Sequence, residues 1–173
     1  MKLTAIERAT LIMLHKILKN LEPENKKEHT NAIEILEDGY YEMWENECLG
    51  HLSQPLEKEK MNYVHDILGM YWRLQDSYKD LSDGDKKKVG TEDTVIFEGF
   101  DGNNETELLS YARFLMERFD KWSGVKATHD LNTHAPTGRR YSAMLEAMPS
   151  SELRHLSAEQ INTVLKAQFI NII

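Results

Sequence analysis

Between Leu56 and Leu81 the chain steps by threes and fours, and that spacing constrains the fold more than any other feature. Met61, Val64, Leu68, Tyr71, Gln75 and Tyr78 make one row, and Ile67, Leu74 and Leu81 fill the row beside it. Residues three and four apart share a helical face, so the segment predicts one long amphipathic helix. At 1.5 Å per residue it would run for about 35 Å. Gly69, inside it, costs about 1 kcal/mol relative to alanine and predicts a close helix crossing. The stripe reads as core packing, with a subunit interface as the alternative.

The flanking segments repeat the pattern. Thr4 and Glu7 form a capping box ahead of Ile6, Ala9, Met13, Ile17 and Leu21, with Leu14 and Leu18 widening that stripe. A second helix is expected from about Asn25 to Glu37, with Ile33 and Leu36 inward and Gly39 as its stop. Tyr40, Tyr41, Met43, Trp44 and Leu49 suggest a short aromatic helix. Val95-Ile96-Phe97 is β-branched and aromatic and could be extended, and Gly99-Phe100-Asp101-Gly102 turns the chain. A helix from about Asn104 to Trp122 would turn Leu108, Leu109, Ala112, Phe114, Leu115 and Phe119 inward. Another follows Pro136, with Tyr141, Met144, Leu145 and Met148 inside. Ser157 and Gln160 make a second capping box before Ile161, Val164, Leu165 and Phe169. The expected fold is all-α, with about six helices including one long central helix and an irregular loop near 123–135. The expected organisation is an N-terminal helical part, 1–90, closely packed against a C-terminal part, 91–173. Ser82 to Lys88 reads as a polar loop.

Composition narrows the functional classes. The 173 residues carry 21 basic and 29 acidic side chains, a net charge of −8, which argues against non-specific binding to nucleic acid or an anionic membrane. Cys48 is the lone cysteine, so an intrachain disulfide is excluded, and it reads as a buried, inert thiol in a reducing compartment. Glu7 and Arg8 interrupt any signal-like apolar core, and the expected location is the cytoplasm.

Three groups of residues could carry chemistry. His129, Asp130 and His134 lie in the 123–135 loop, where imidazole and carboxylate could hold a divalent metal with Asp101 or Glu105. Their spacing matches no established metal motif, and loop-internal hydrogen bonds account for the same residues. Arg8 and His15 stand two turns apart on the first helix, and this Arg–x6–His spacing resembles the motif of HEPN-type ribonucleases. Ala9 departs from that pattern, since a polar residue usually follows the arginine. Arg139-Arg140 near a helix start could clamp an anion. Neither a nucleophile elbow nor a phosphate-cradling glycine loop is present in the sequence.

Several segments together resemble the YfbU family of bacterial proteins. These are Phe97-Glu98-Gly99-Phe100-Asp101 with Glu105, Leu109, Tyr111 and Arg113-Phe114; His129-x-Leu131-Asn132 with Pro136, Tyr141 and Met144-Leu145; and Leu156 through Asn162. Ile35-Leu36-Glu37-Asp38-Gly39-Tyr40 and Asp66-Ile67-Leu68-Gly69-Met70-Tyr71 are similar more loosely. The resemblance spans nearly the whole chain. It implies an all-α, cytosolic, oligomeric protein and brings no catalytic residues and no cofactor. Asp101, Arg113, His129 and Asn132 fall within the family pattern, whereas His15 and His134 fall outside it. The first four are expected to form a polar network, with Asp101 capping the helix near Asn104 and Arg113 bonding loop carbonyls.

The preferred functional reading is a self-associating interaction module without catalytic activity, a dimer or higher homo-oligomer with room for another protein partner. Its motivation is apolar surface at Tyr40, Tyr41, Trp44, Tyr71 and Trp72 and in the tail from Phe169 to Ile173. The alternatives are a nuclease or phosphoesterase, using either Arg8 with His15 or a metal in the 129–134 loop, and a regulator with a small ligand in an aromatic interhelical cavity.

Overall fold

The computed structural model describes residues 3–50, 52, 54–119, 121–150 and 155–169. Its eight α-helices divide between two compact units, Met1–Pro55 and Leu56–Ile173. Residue 90, where the sequence suggests a division, lies inside the second unit.

In the first unit, helix α1 (Ala5–Leu21) packs on α2 (Lys26–Asp38) through a single turn at Pro23–Asn25. The Thr4–Glu7 capping box starts α1. Gly39 ends α2 in a left-handed conformation, φ 75°. The aromatic helix α3 (Tyr41–Trp44) continues as a π-helical turn, Glu45–Leu49. Ala32, Ile35, Leu36 and Trp44 form a small core. The apolar stripe expected to pack inward from α1 does not: Ile6, Met13, Leu14, Ile17 and Leu21 all face out, and α1 has no fully buried residue. The helix carries apolar residues on two sides, and α2 takes the side bearing Leu11 and Ile12.

The second unit is built around α4 (Lys58–Asp80), whose 23 residues match the long helix expected from the spacing. It buries Val64, Ile67, Leu68, Tyr71, Leu74 and Tyr78. Gly69 is not a helix crossing: a Cβ there would meet only the Trp122 ring, at an ordinary 3.7 Å. The supposed polar loop at 82–88 is largely a helix, α5 (Asp83–Val89), capped by the Ser82 hydroxyl, which accepts the Asp85 N–H at 3.2 Å. Acidic residues in its first turn and three lysines in its last suit the helix dipole, and with only Val89 buried it has no apolar stripe to reveal it.

A 3₁₀ turn, Glu92–Val95, precedes α6 (Thr106–Arg113), which runs into a π-helical turn at Phe114–Arg118. That wider turn shifts the register, so Leu115 is buried while Phe114 and Phe119, expected inside, stack on each other at the surface. Helix α7 (Gly138–Glu146) buries Tyr141 and Met144. Helix α8 (Ala158–Ala167) begins at the Ser157–Gln160 capping box. Among the described residues there are no strands, only two isolated parallel bridges, Phe97 with Ala127 and Phe100 with Asn132. No helix of the described chain is long and apolar enough to cross a membrane.

Candidate functional site

Two of the segments carrying YfbU-like motifs meet at one junction in the second unit, where residues 97–105 run beside 126–138. Phe97 donates to the Lys126 carbonyl at 3.1 Å and accepts from Thr128 at 2.9 Å; Phe100 does the same with Leu131 and Thr133. Beneath the first bridge, the side chain of Gln75 is buried in α4. Its amide donates to the Val95 and Lys126 carbonyls at 2.9 and 2.8 Å and accepts the Lys126 N–H at 2.7 Å. A buried amide left unpaired would be costly, so these bonds fix the loops to the helix.

Gly99 sits where the segments approach most closely. Its φ is +97°, and a Cβ there would fall 1.7 Å from the Leu131 carbonyl oxygen. Leu131 and His134 are themselves left-handed, at φ 51° and 53°. The Tyr141 hydroxyl donates to the Gly99 carbonyl at 2.8 Å from within an aromatic cluster of Tyr71, Phe97 and Phe100. Burial pushes the Tyr141 phenol well above its ordinary pKa, so it stays a neutral donor.

Two carboxylates brace the turn. Asp101 is buried and accepts the Asn103 N–H at 3.0 Å and the Asn104 side-chain amide. Those bonds, from Asn104 first, hold its carboxyl below the usual range. It therefore shapes the turn before α6, whose cap position is Glu105 and not Asp101, the residue expected there from the sequence. Glu105 is the centre of the junction. Its carboxylate accepts Thr137 N–H at 3.0 Å, Thr137 Oγ1 at 2.7 Å, Gly138 N–H at 2.8 Å and Asp101 N–H at 3.0 Å. One side chain at the start of α6 thus caps the start of α7, where Thr137 makes no cap of its own.

The other expected network residues distribute around this brace. Arg113 donates to the Asp130 carbonyl. Asn132 Oδ1 accepts N–H groups from Gly102 and His134 at 3.0 and 3.1 Å. His129 is exposed and makes no hydrogen bond among the described residues. His134 Nε2 lies 3.9 Å from Asp130 Oδ2, and both side chains are exposed. No group of three or more potential His, Cys, Asp or Glu metal ligands comes together among the described residues. A groove of about 730 Å³ beside the junction is lined by Glu98, Thr128, Arg139 and Arg140, among others. There Arg140 pairs with Glu98 at 2.7 Å and lies over the Tyr141 ring.

Arg8 and His15 serve different ends of the α1–α2 pair. Arg8 donates to the Leu36 and Glu37 carbonyls, closing the C-terminus of α2. His15 Nδ1 faces His29 Nδ1 at 3.1 Å, and His29 Nε2 meets Glu22 at 3.2 Å. Burial, then the neighbouring His29, holds the His15 pKa below its ordinary value. Cys48 is half-buried, with burial raising its thiol pKa.

These features define an all-α protein whose loop junction is held by buried amide and carboxylate braces. The YfbU domain model matches residues 1–167. The chain is also 36% identical over 171 residues to a UPF0304 protein of Methanocaldococcus jannaschii, an alignment covering 95% of this chain and 99% of the relative. The chain belongs to the YfbU family.

Proposed function

We propose that this is a cytoplasmic, self-associating interaction protein and not an enzyme, and that α1 is its self-association surface. The observation that carries the reading is the outward stripe of α1, where Ile6 is 80%, Met13 64%, Leu14 49%, Ile17 55% and Leu21 71% exposed. Such a ribbon offers on the order of 500–600 Å² of apolar surface, at the upper end of what monomers expose. Two copies together approach the ~1,200 Å² at which specific interfaces begin.

The stripe is also symmetric about its own midpoint. Reversing the helix between Met13 and Leu14 sets Ile6 against Leu21, Thr10 against Ile17 and Met13 against Leu14. A two-fold interface requires a self-complementary patch, and an antiparallel α1 pair provides one. The other candidate groups support the same reading. Arg8 is bound to the end of α2, and Asp101 and Glu105 hold the loop junction.

Sedimentation or light scattering of the whole chain should find a dimer or a multiple of it at micromolar concentration. Ile17→Glu should give a monomer with unchanged helical circular dichroism. A wild-type chain that stays monomeric across that range sinks the proposal.

A further inference from the structure

A second surface of the first unit goes beyond self-association. From Glu28 to Glu47 the chain carries seven carboxylates and no lysine or arginine. Part of this charge surrounds a groove of about 860 Å³ along α2 and α3. Ala32, Ile35 and Trp44, all buried, line it together with the half-exposed Met43. Glu28, Glu34, Asp38 and Glu47 line it too, and all four are exposed.

The charge is not neutralised from within. Lys16 is taken by Glu37, outside the groove, and Asp38 bonds the Tyr40 hydroxyl. Glu28, Glu34 and Glu47 pair with no lysine or arginine among the described residues. Trp44 adds an independent sign: its indole Nε1 is buried and has no hydrogen-bond acceptor among the described residues. An apolar trough with an acidic rim repels phosphate backbones and anionic lipid headgroups and attracts cations that carry apolar side chains.

We propose that this groove docks a cationic amphipathic segment of another protein. Its apolar side chains seat on Ile35, Met43 and Trp44, and its lysines or arginines face Glu28, Glu34, Asp38 and Glu47. This is the helix-in-groove mode, with charge setting the choice of partner and making binding sensitive to salt.

The test uses the full chain, ¹⁵N-labelled, and a synthetic twelve-residue peptide with leucines on one helical face and lysines beside them. The peptide should shift the Trp44 indole resonance and the amides of residues 28–48, and its affinity should fall as salt is raised. Combining Glu34→Lys with Asp38→Lys, both at exposed positions, should weaken binding at least tenfold while leaving the circular dichroism unchanged. Ile17→Glu should leave binding unchanged, so that the failure of self-association and the failure of this proposal read out separately. Equal binding by the same peptide with glutamates in place of its lysines would overturn the proposal. So would equal binding by spermine, which would mark a bare cation site, or resonance shifts confined to regions outside residues 28–48.

Discussion

Both units are helical, but they use their helices to different ends. Among the described residues the second unit gathers twenty-three buried apolar side chains into one cluster, and the first gathers four. The first unit does not lack apolar residues; it points them outward, along α1 and at Tyr40 and Met43. A segment of that size with so small a core is marginal by itself. The second unit is organised as a self-sufficient fold around α4, whereas the first presents surfaces. Fold stability is therefore expected to reside in the second unit and association in the first.

The largest test of that contrast is at the loop junction. Gly99→Ala would place a methyl group against the Leu131 carbonyl in a left-handed conformation, and it should cost about 3 kcal/mol or more. Chemical denaturation of the purified variant measures this, and a change under about 1 kcal/mol would mean that the segments are not held as closely as described.

Glu105→Ala comes next. It removes the cap of α7 and strips the Thr137, Gly138 and Asp101 donors of their acceptor, for an expected loss of about 2–3 kcal/mol. Hydrogen exchange should show α7 opening first. Uniform loosening of the whole unit would instead give Glu105 a role beyond the brace.

The smallest effect sharpens the comparison from the side of the first unit. The His15 pKa is depressed in the folded state, so the unfolded chain takes up this proton at the higher pH. The stability His15 contributes is complete above its unfolded value, near about 6.5, and is lost as pH falls through the folded value. Protection factors of the α1 and α2 amides, corrected for the intrinsic pH dependence of exchange, should therefore fall on acidification below about pH 6.5, with little change in α4. His15→Gln should flatten that response. An equal response in both units would assign the titration elsewhere.

Much of the fold was legible because its signals are local. The spacing through α4, the Thr4–Glu7 and Ser157–Gln160 boxes and the stop at Gly39 each act within a turn or two of chain. The misreadings share a physical origin as well. Helix α5 is held by its cap and charges and lacks a stripe, and the π turn after α6 keeps Leu115 inside but turns Phe114 and Phe119, both expected inside, to the surface. The surface aromatics were only partly foreseen. Tyr40 and Trp72 are exposed, but Trp44 and Tyr71 are buried. Beyond Phe169, which is itself exposed, the apolar tail lies outside the described residues.

At the junction, the sequence marked Asp101, Arg113 and Asn132 but gave no prominence to Gln75, and it marked Glu105 as a family residue and a candidate metal ligand but not as a cap. Gln75 sits in an apolar row and bonds carbonyls 20 and 51 residues away; Glu105 reaches 32 residues forward to Thr137. No periodicity encodes such partners.

By itself the sequence determined that this chain is helical, where α1, α2, α4 and α8 begin, and which family it resembles. These follow from backbone geometry and side-chain spacing over a few residues. Which apolar face of α1 is covered, which carboxylate caps which helix, and where acidic charge gathers around a groove were decided only by tertiary structure. Each depends on which distant segment arrives to compete with water for the same groups.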